Sequence, residues 1–234
     1  MDDKNVKTIV DALNRLGIEA GANAKVNLQD LADNLTRMAD EIDNRNFDKR
    51  FRISKIGTGV YFRDYIDNTD RGIDVDMLRD LLTLSFMKNR ENLVFWGNPG
   101  TGKSWLAKMI ATAACMANKR VRWIDFPVLY RQLDRLKKKD ENKYETKIKY
   151  YINFDLLCID EFLNYKQEDP YIMQEFFKRA EDLGKCTLVI CCQANPENWV
   201  KLFDVGSFGQ SVRGRIVSKA KKINTLGKDM RLVK

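Results

Sequence analysis

"VFWGNPGTGKSW", residues 94–105, sets a short apolar run against an abrupt cluster of three glycines, a proline, a lysine and a serine. Residues 92–96 read as a strand and residues from 103 onward as a helix. The loop between them, Gly97 to Ser104, fits G-x-x-x-x-G-K-[ST] in the strand-to-helix setting that the pattern requires. Small residues let the backbone curl until its N–H groups converge, and the positive end of the following helix points at the same place. This geometry predicts a phosphate-binding loop made of Gly97, Asn98, Pro99, Gly100, Thr101, Gly102, Lys103 and Ser104. Lys103 is placed to reach the β and γ phosphates of a nucleotide, and the Ser104 hydroxyl to ligate Mg²⁺.

Outward from this loop, apolar runs alternate with helical patterns: NLVFW, a helix over 103–117, VRWI, a helix over 127–138, a lysine-rich helical segment over 143–153, DLLCI, a helix over 170–183, and TLVICC. The runs are continuously apolar, as a parallel sheet covered on both faces requires, so the class is α/β. Asp125 with Pro127 and Asp169 with Pro170 mark helix starts, and Gly184 marks a stop. Upstream, apolar residues at Val6, Ile9, Val10, Leu13 and Leu16, and again at Leu28, Leu31, Leu35, Met38 and Ile42, have helical spacing; Gly17 and Gly21 separate the two helices. A basic stretch, FDKRFRISKIG, precedes a polar loop ending near Gly72 and an amphipathic helix over 74–89. These features predict a helical partner-binding region over 1–50 and a main domain over 51–234.

Composition narrows the chemistry. The 234 residues contain no histidine, which excludes Ser/His hydrolases and the H-E-x-x-H zinc enzymes. The five cysteines, Cys115, Cys158, Cys186, Cys191 and Cys192, lie in apolar segments without a C-x-x-C pair and read as small buried hydrophobes of a reducing compartment. No apolar run approaches the ~18 residues of a membrane span, so the expected address is cytoplasmic. The net charge of +8 is unevenly spread: residues 1–44 carry 5 basic and 9 acidic side chains, residues 211–234 carry 8 and 1.

Asp160 and Glu161 end the apolar run LLCI, 57 residues after Lys103. At the carboxyl end of a strand both side chains can turn toward the crevice where nucleotides sit. Asp160 suits the surroundings of Mg²⁺, and Glu161 suits the orientation and deprotonation of an attacking water. Gln193 is the first polar side chain after TLVICC and is placed to contact both γ-phosphate and water, with Asn195 as the fallback. Arg213, Arg215 and Arg231 are guanidinium groups able to offset phosphate charge. Residues 131–149 carry 8 basic and 4 acidic side chains, with Tyr144, Tyr150 and Tyr151 close by. Together with the carboxyl-terminal basic tail they suggest contact with a DNA backbone, and base stacking, without sequence readout.

At ENLVFWGNPGTGKSWLA, AACMANKRVRW, FDLLCIDEF and CQANPENW, followed by Arg215 and LGKDMR, the chain resembles the DnaC/IstB branch of the AAA+ ATPases over roughly residues 50–231. The branch comprises bacterial helicase loaders and ATP-binding helpers of insertion-sequence transposases. The resemblance implies a three-layer P-loop NTPase fold with a five-stranded parallel sheet, the sensor strand lying between the phosphate-loop and Asp-Glu strands. It implies Gln193 as sensor 1, Arg215 as an arginine finger offered to a neighbouring subunit, and Arg231 as sensor 2. It further implies Mg²⁺ and ATP as cofactors, slow hydrolysis stimulated by a partner or DNA, an ATP-dependent homo-oligomer on DNA, and a replicative helicase or transposase as protein partner. A metabolic P-loop kinase and a nonhydrolytic nucleotide-dependent interaction module are the rival readings.

Overall fold

A computed structural model of the protein describes residues 28–65, 73–202, 206–227 and 229. In chain order the elements are α1 (Leu28–Ser54), α2 (Val75–Leu82), α3 (Ser85–Lys88), β1 (Asn92–Trp96), α4 (Lys103–Met116), β2 (Val121–Asp125), α5 (Phe126–Lys139), α6 (Glu141–Ile152), β3 (Leu156–Phe162), α7 (Tyr171–Leu183), β4 (Thr187–Cys192), α8 (Trp199–Leu202), α9 (Gly206–Val217) and β5 (Ala220–Asn224). The chain divides into two compact units, Met1–Asn46 and Phe47–Lys234.

The five strands form one parallel sheet in the order β2-β3-β4-β1-β5, so the β4 strand lies between β1 and β3 as expected. Successive residues of a strand face opposite sides, and both sides are dry. Val94, Leu157, Ile159 and Ile190 enter a core with α5, α6, α7 and α9, whereas Leu93, Phe95, Cys158 and Val189 enter a second core with α2 and α4. This double burial is why the strands read as unbroken apolar runs.

Local patterns account for most boundaries. Asp74 caps α2 by accepting from Met77 N at 2.6 Å, and Asp140 caps α6 by accepting from Lys143 N at 3.0 Å. Gly184, at φ +59°, ends α7 in the left-handed region that glycine adopts freely.

Two expectations change. The helix predicted over 74–89 is broken at Leu84, which takes φ +59° between α2 and α3. The break lets Leu78, Leu81 and Leu84 share a buried side and still seats Phe86 at 0% exposure. Burial of a Phe side chain contributes about 1.5–3 kcal/mol, enough to offset the roughly 1–2 kcal/mol of a left-handed residue. The helix read over residues 28–42 runs on through the basic stretch to Ser54, where Phe47 and Phe51 stack with ring centroids 5.5 Å apart and pack against the α2–α4 core. The helix predicted over residues 6–16 lies outside the described residues.

The described cysteines are all free thiols; Cys115, Cys158, Cys191 and Cys192 are buried and Cys186 is half-buried. No helix among the described residues is long and apolar enough to cross a membrane.

Candidate nucleotide site

The phosphate loop leaves β1 at Gly97 and enters α4 at Lys103. Gly97, Gly100 and Gly102 take φ of +144°, +79° and +91°, a run of positive values that only glycines adopt without strain. The loop is also strapped from outside. Thr225, just past β5, donates its N–H to Trp96 O at 2.8 Å, and its Oγ1 lies 2.7 Å from Thr101 Oγ1. The fit is close enough that a Cβ at Gly97 would come within 2.3 Å of Thr225 O, and one at Gly100 within 1.9 Å of Asp229 Oδ1. Glycine at these two positions therefore serves the packing of the loop as well as its conformation. Lys103 is buried at 9% exposure and folds back, its Nζ donating to Gly97 O at 2.9 Å and Asn98 O at 2.6 Å.

Facing the loop is the end of β3. Asp160 accepts from Ser104 Oγ at 3.0 Å and from the Glu161 N–H at 2.9 Å. Burial, with Asp125 beside it on β2 as a smaller influence, pushes the Asp160 carboxyl above its usual range, and the Ser104 hydrogen bond partly opposes this. The pairing of β3 with β4 shifts register between Ile159 and Phe162, and Glu161 takes φ +52°. This bulge turns the chain so that both Asp160 and Glu161 line the same cleft, although neighbours on a regular strand would face apart. A sequence pattern of apolar residues carries no signal for such a bulge.

The cleft, about 260 Å³, gathers Pro99, Gly100, Lys103, Ser104, Asp160, Glu161 and Gln193 among its walls. Gln193 is exposed at its rim. Asn195, the fallback for that position, is committed elsewhere: its Oδ1 accepts from Glu197 N at 2.9 Å as a cap. Trp199, fully buried, donates from Nε1 to Ala194 O at 3.2 Å and so pins the segment that follows Gln193. Ser104 and Asp160 offer hard oxygen donors, and the ionised form of the half-buried Asp160 lacks a neighbouring cationic hydrogen-bond donor among its described partners. This donor set fits Mg²⁺, which commonly takes few protein ligands and completes its shell with phosphate and water.

Arg213 and Arg215 do not join this cleft. Arg213 donates to Pro196 O at 3.1 Å and pairs with Glu197. Arg215 stands near the end of α9 and lines a different pocket, beside Asn92 and Thr187, the first residues of β1 and β4. That is the opposite end of the sheet from the phosphate loop. Arg231 lies outside the described residues.

The basic segment 131–149 is only partly free. Lys137, Lys138 and Lys143 pair with Asp169, Asp134 with Glu168, and Asp140, respectively. Arg135, Lys139, Lys143 and Lys147 nevertheless line one groove between α5 and α6. Burial and the nearby Arg122 hold Lys147 below the usual lysine range. The expected tyrosine platform is corrected: Tyr144 and Tyr151 are at 0% exposure, with hydroxyls bonded to Glu175 and Gln132, because α6 turns them into the core; Tyr150 alone of the three is exposed, at 41%.

A family model described as "IstB-like ATP binding protein" matches residues 2–234, which includes the amino-terminal region that carries no recognisable motif. The chain is 27% identical over 197 residues to a protein of Bacillus thuringiensis subsp. berliner named for ATP binding in insertion sequence IS232, a match covering 82% of this chain and 77% of that one. Among solved structures, that of DnaI is similar with a TM-score of 0.55 at 16% identity, covering 71% of this chain and 90% of the other. That of the DnaC helicase loader is similar with a TM-score of 0.52 at 21% identity, covering 68% and 94%.

Proposed function

The chain belongs to the family of IstB-like ATP-binding proteins, and on that premise we propose that it is a slow AAA+ ATPase. In this reading it assembles on DNA as an ATP-dependent homo-oligomer and serves a transposase or a replicative helicase. The observation that carries the reading is the gathering of Lys103, Ser104, Asp160, Glu161 and Gln193 in one cleft, with Arg215 at the far end of the sheet.

Each residue has a task in ATP plus water giving ADP plus phosphate. The loop amides bind the β-phosphate, and Lys103 exchanges its two loop carbonyls for β and γ oxygens. Ser104 and Asp160 would hold Mg²⁺, which when bound supplies positive charge to the same phosphates. Glu161 orients a water in line with the γ-phosphorus and accepts its proton as the O–P bond forms and the β–γ bridge breaks. Gln193 donates to a γ oxygen and accepts from the water. Arg215 cannot reach its own loop; five residues of β1 at ~3.3 Å each separate the two ends by roughly 15 Å. It is therefore assigned to the γ-phosphate of an adjacent subunit, where a guanidinium offsets charge in the transition state. Arg231 is assigned to the same nucleotide as the phosphate loop. Relatives named for insertion sequences favour a transposase as the partner, with residues 1–50 as its docking region and the cytoplasm as the setting.

The groove between α5 and α6 is assigned to DNA phosphates. Its lysines and arginine follow a backbone without reading bases.

The decisive experiment is Glu161→Gln. ATP affinity, measured by calorimetry, should stay within about threefold, while phosphate release without any acceptor falls by a factor on the order of 10²–10³. Wild-type turnover in that variant would exclude Glu161 as the base, and absence of turnover in the unaltered protein with DNA present would favour the nonhydrolytic reading.

A further inference from the structure

Arg215 sits in a pocket of about 140 Å³ formed at the amino ends of β1 and β4. Its Nε, closed off from solvent and without a well-aligned hydrogen bond, faces Glu181 Oε2 at 3.3 Å. Its Nη1 donates to Ser211 O at 3.1 Å and to Ser211 Oγ. Two more cations share the pocket walls, Arg90 and Lys219, and among the described residues neither has a carboxylate partner. Arg90 is held there by its backbone: it takes φ +56° in the turn before β1, and its guanidinium lies so close over Gly184 that a Cβ at that glycine would be 3.3 Å from Nη1. Asn92 frames the floor, donating to Ile216 O at 2.9 Å and accepting from Leu188 N at 3.0 Å.

Three cations against one carboxylate, around a pocket of about 140 Å³, describe an anion receptor. We infer that this pocket receives the terminal phosphates of the nucleotide bound to a second copy of the chain, with Arg90 and Lys219 acting beside Arg215. In the isolated subunit the Glu181 carboxylate stands in for that phosphate. Glu181 is half in solvent, with its side chain 54% exposed, so it can swing away without a buried charge being stranded. Exchange of one anion for another then sets the ATP-dependent threshold of assembly: Glu181 competes with the neighbour's γ-phosphate for the same guanidinium. The inference rests on the assignment of Arg215 to an adjacent nucleotide and adds the residues that tune it.

The test measures the protein concentration at half-assembly by sedimentation, using the full chain with saturating Mg-ATP in a Glu161→Gln background that keeps ATP intact. Glu181→Gln should lower that concentration at least threefold. Arg90→Gln and Lys219→Gln should each raise it about tenfold, the scale of one lost charge-assisted contact, and Arg90→Lys should recover part of the loss. ATP affinity of dilute subunits should be unchanged in all four, and their melting temperatures confirm folding. If Arg215→Ala abolishes assembly but the Glu181, Arg90 and Lys219 variants behave as the parent, the inference fails and the shared-site reading stands. If Arg215→Ala assembles and hydrolyses ATP normally, that reading falls as well. If the Arg90 and Lys219 variants lose DNA affinity with an unaltered assembly threshold, the pocket takes backbone phosphate and the inference is overturned.

Discussion

Ser104 and Asp160, 56 residues apart in sequence, meet through a 3.0 Å hydrogen bond from hydroxyl to carboxylate. The bond joins the first turn of α4 to the bulged end of β3, and around it the other polar groups of the cleft are arranged. Partial burial at this strand end, against the pull of the bond itself, favours the neutral form of the Asp160 carboxyl.

Asp160→Asn follows from that. A carboxyl raised above its unfolded value of 3.8 binds its proton more tightly in the folded state, so stability declines as pH rises through the raised value. The amide keeps the acceptor for Ser104 and removes the half-buried charge. Thermal unfolding without nucleotide should show the variant more stable than the parent at neutral pH, by a few degrees. The gap should close as pH falls below 3.8, where both are uncharged. The rise in melting temperature that Mg-ATP gives the parent should be lost.

The strap over the phosphate loop bears differently on Gly97, which the motif requires, and on Gly100, which fills one of its variable positions. At Gly97 an added methyl meets backbone, Thr225 O, at 2.3 Å, so Gly97→Ala should destabilise the protein by about 2 kcal/mol or more even without nucleotide. At Gly100 it meets the Asp229 side chain at 1.9 Å, which is removable. Denaturant titration should show Gly100→Ala partly relieved by Asp229→Ala, with a coupling of about 1 kcal/mol.

Thiol chemistry should be slow. Burial pushes Cys115 up to about 11 and Cys186 and Cys192 up to about 12, and holds Cys158 and Cys191 far above a free thiol. Because the thiolate is the reactive species, Cys115 should alkylate about a hundredfold more slowly at pH 8 than an exposed cysteine, and the others more slowly still. Iodoacetamide labelling followed by mass spectrometry reads this directly, and denaturant should release all five.

DNA affinity, taken at several salt concentrations, should fall as salt rises. Lys139→Ala and Lys147→Ala should each flatten the logarithmic slope by about 1 and weaken every DNA sequence alike. Lys137→Ala and Lys138→Ala should change the slope little, because Asp169, Asp134 and Glu168 already engage them.

The amino-acid order by itself determined the phosphate loop, the alternating elements and the strand that places Gln193 next to it. These depend on short-range causes: backbone angles open only to glycine, apolar runs of fixed period, and prolines and acids that start helices. Tertiary structure alone decided which way Arg215 faces, that Tyr144 and Tyr151 serve the core, that the helix before β1 breaks at Leu84, and that a bulge turns Asp160 and Glu161 into one cleft. Each of those outcomes is a competition between partners far apart in the chain, Glu181 for Arg215 or Glu175 for Tyr144, and between burial and local strain. Such contests are settled by what the folded chain brings within reach, a quantity that no stretch of neighbouring residues contains.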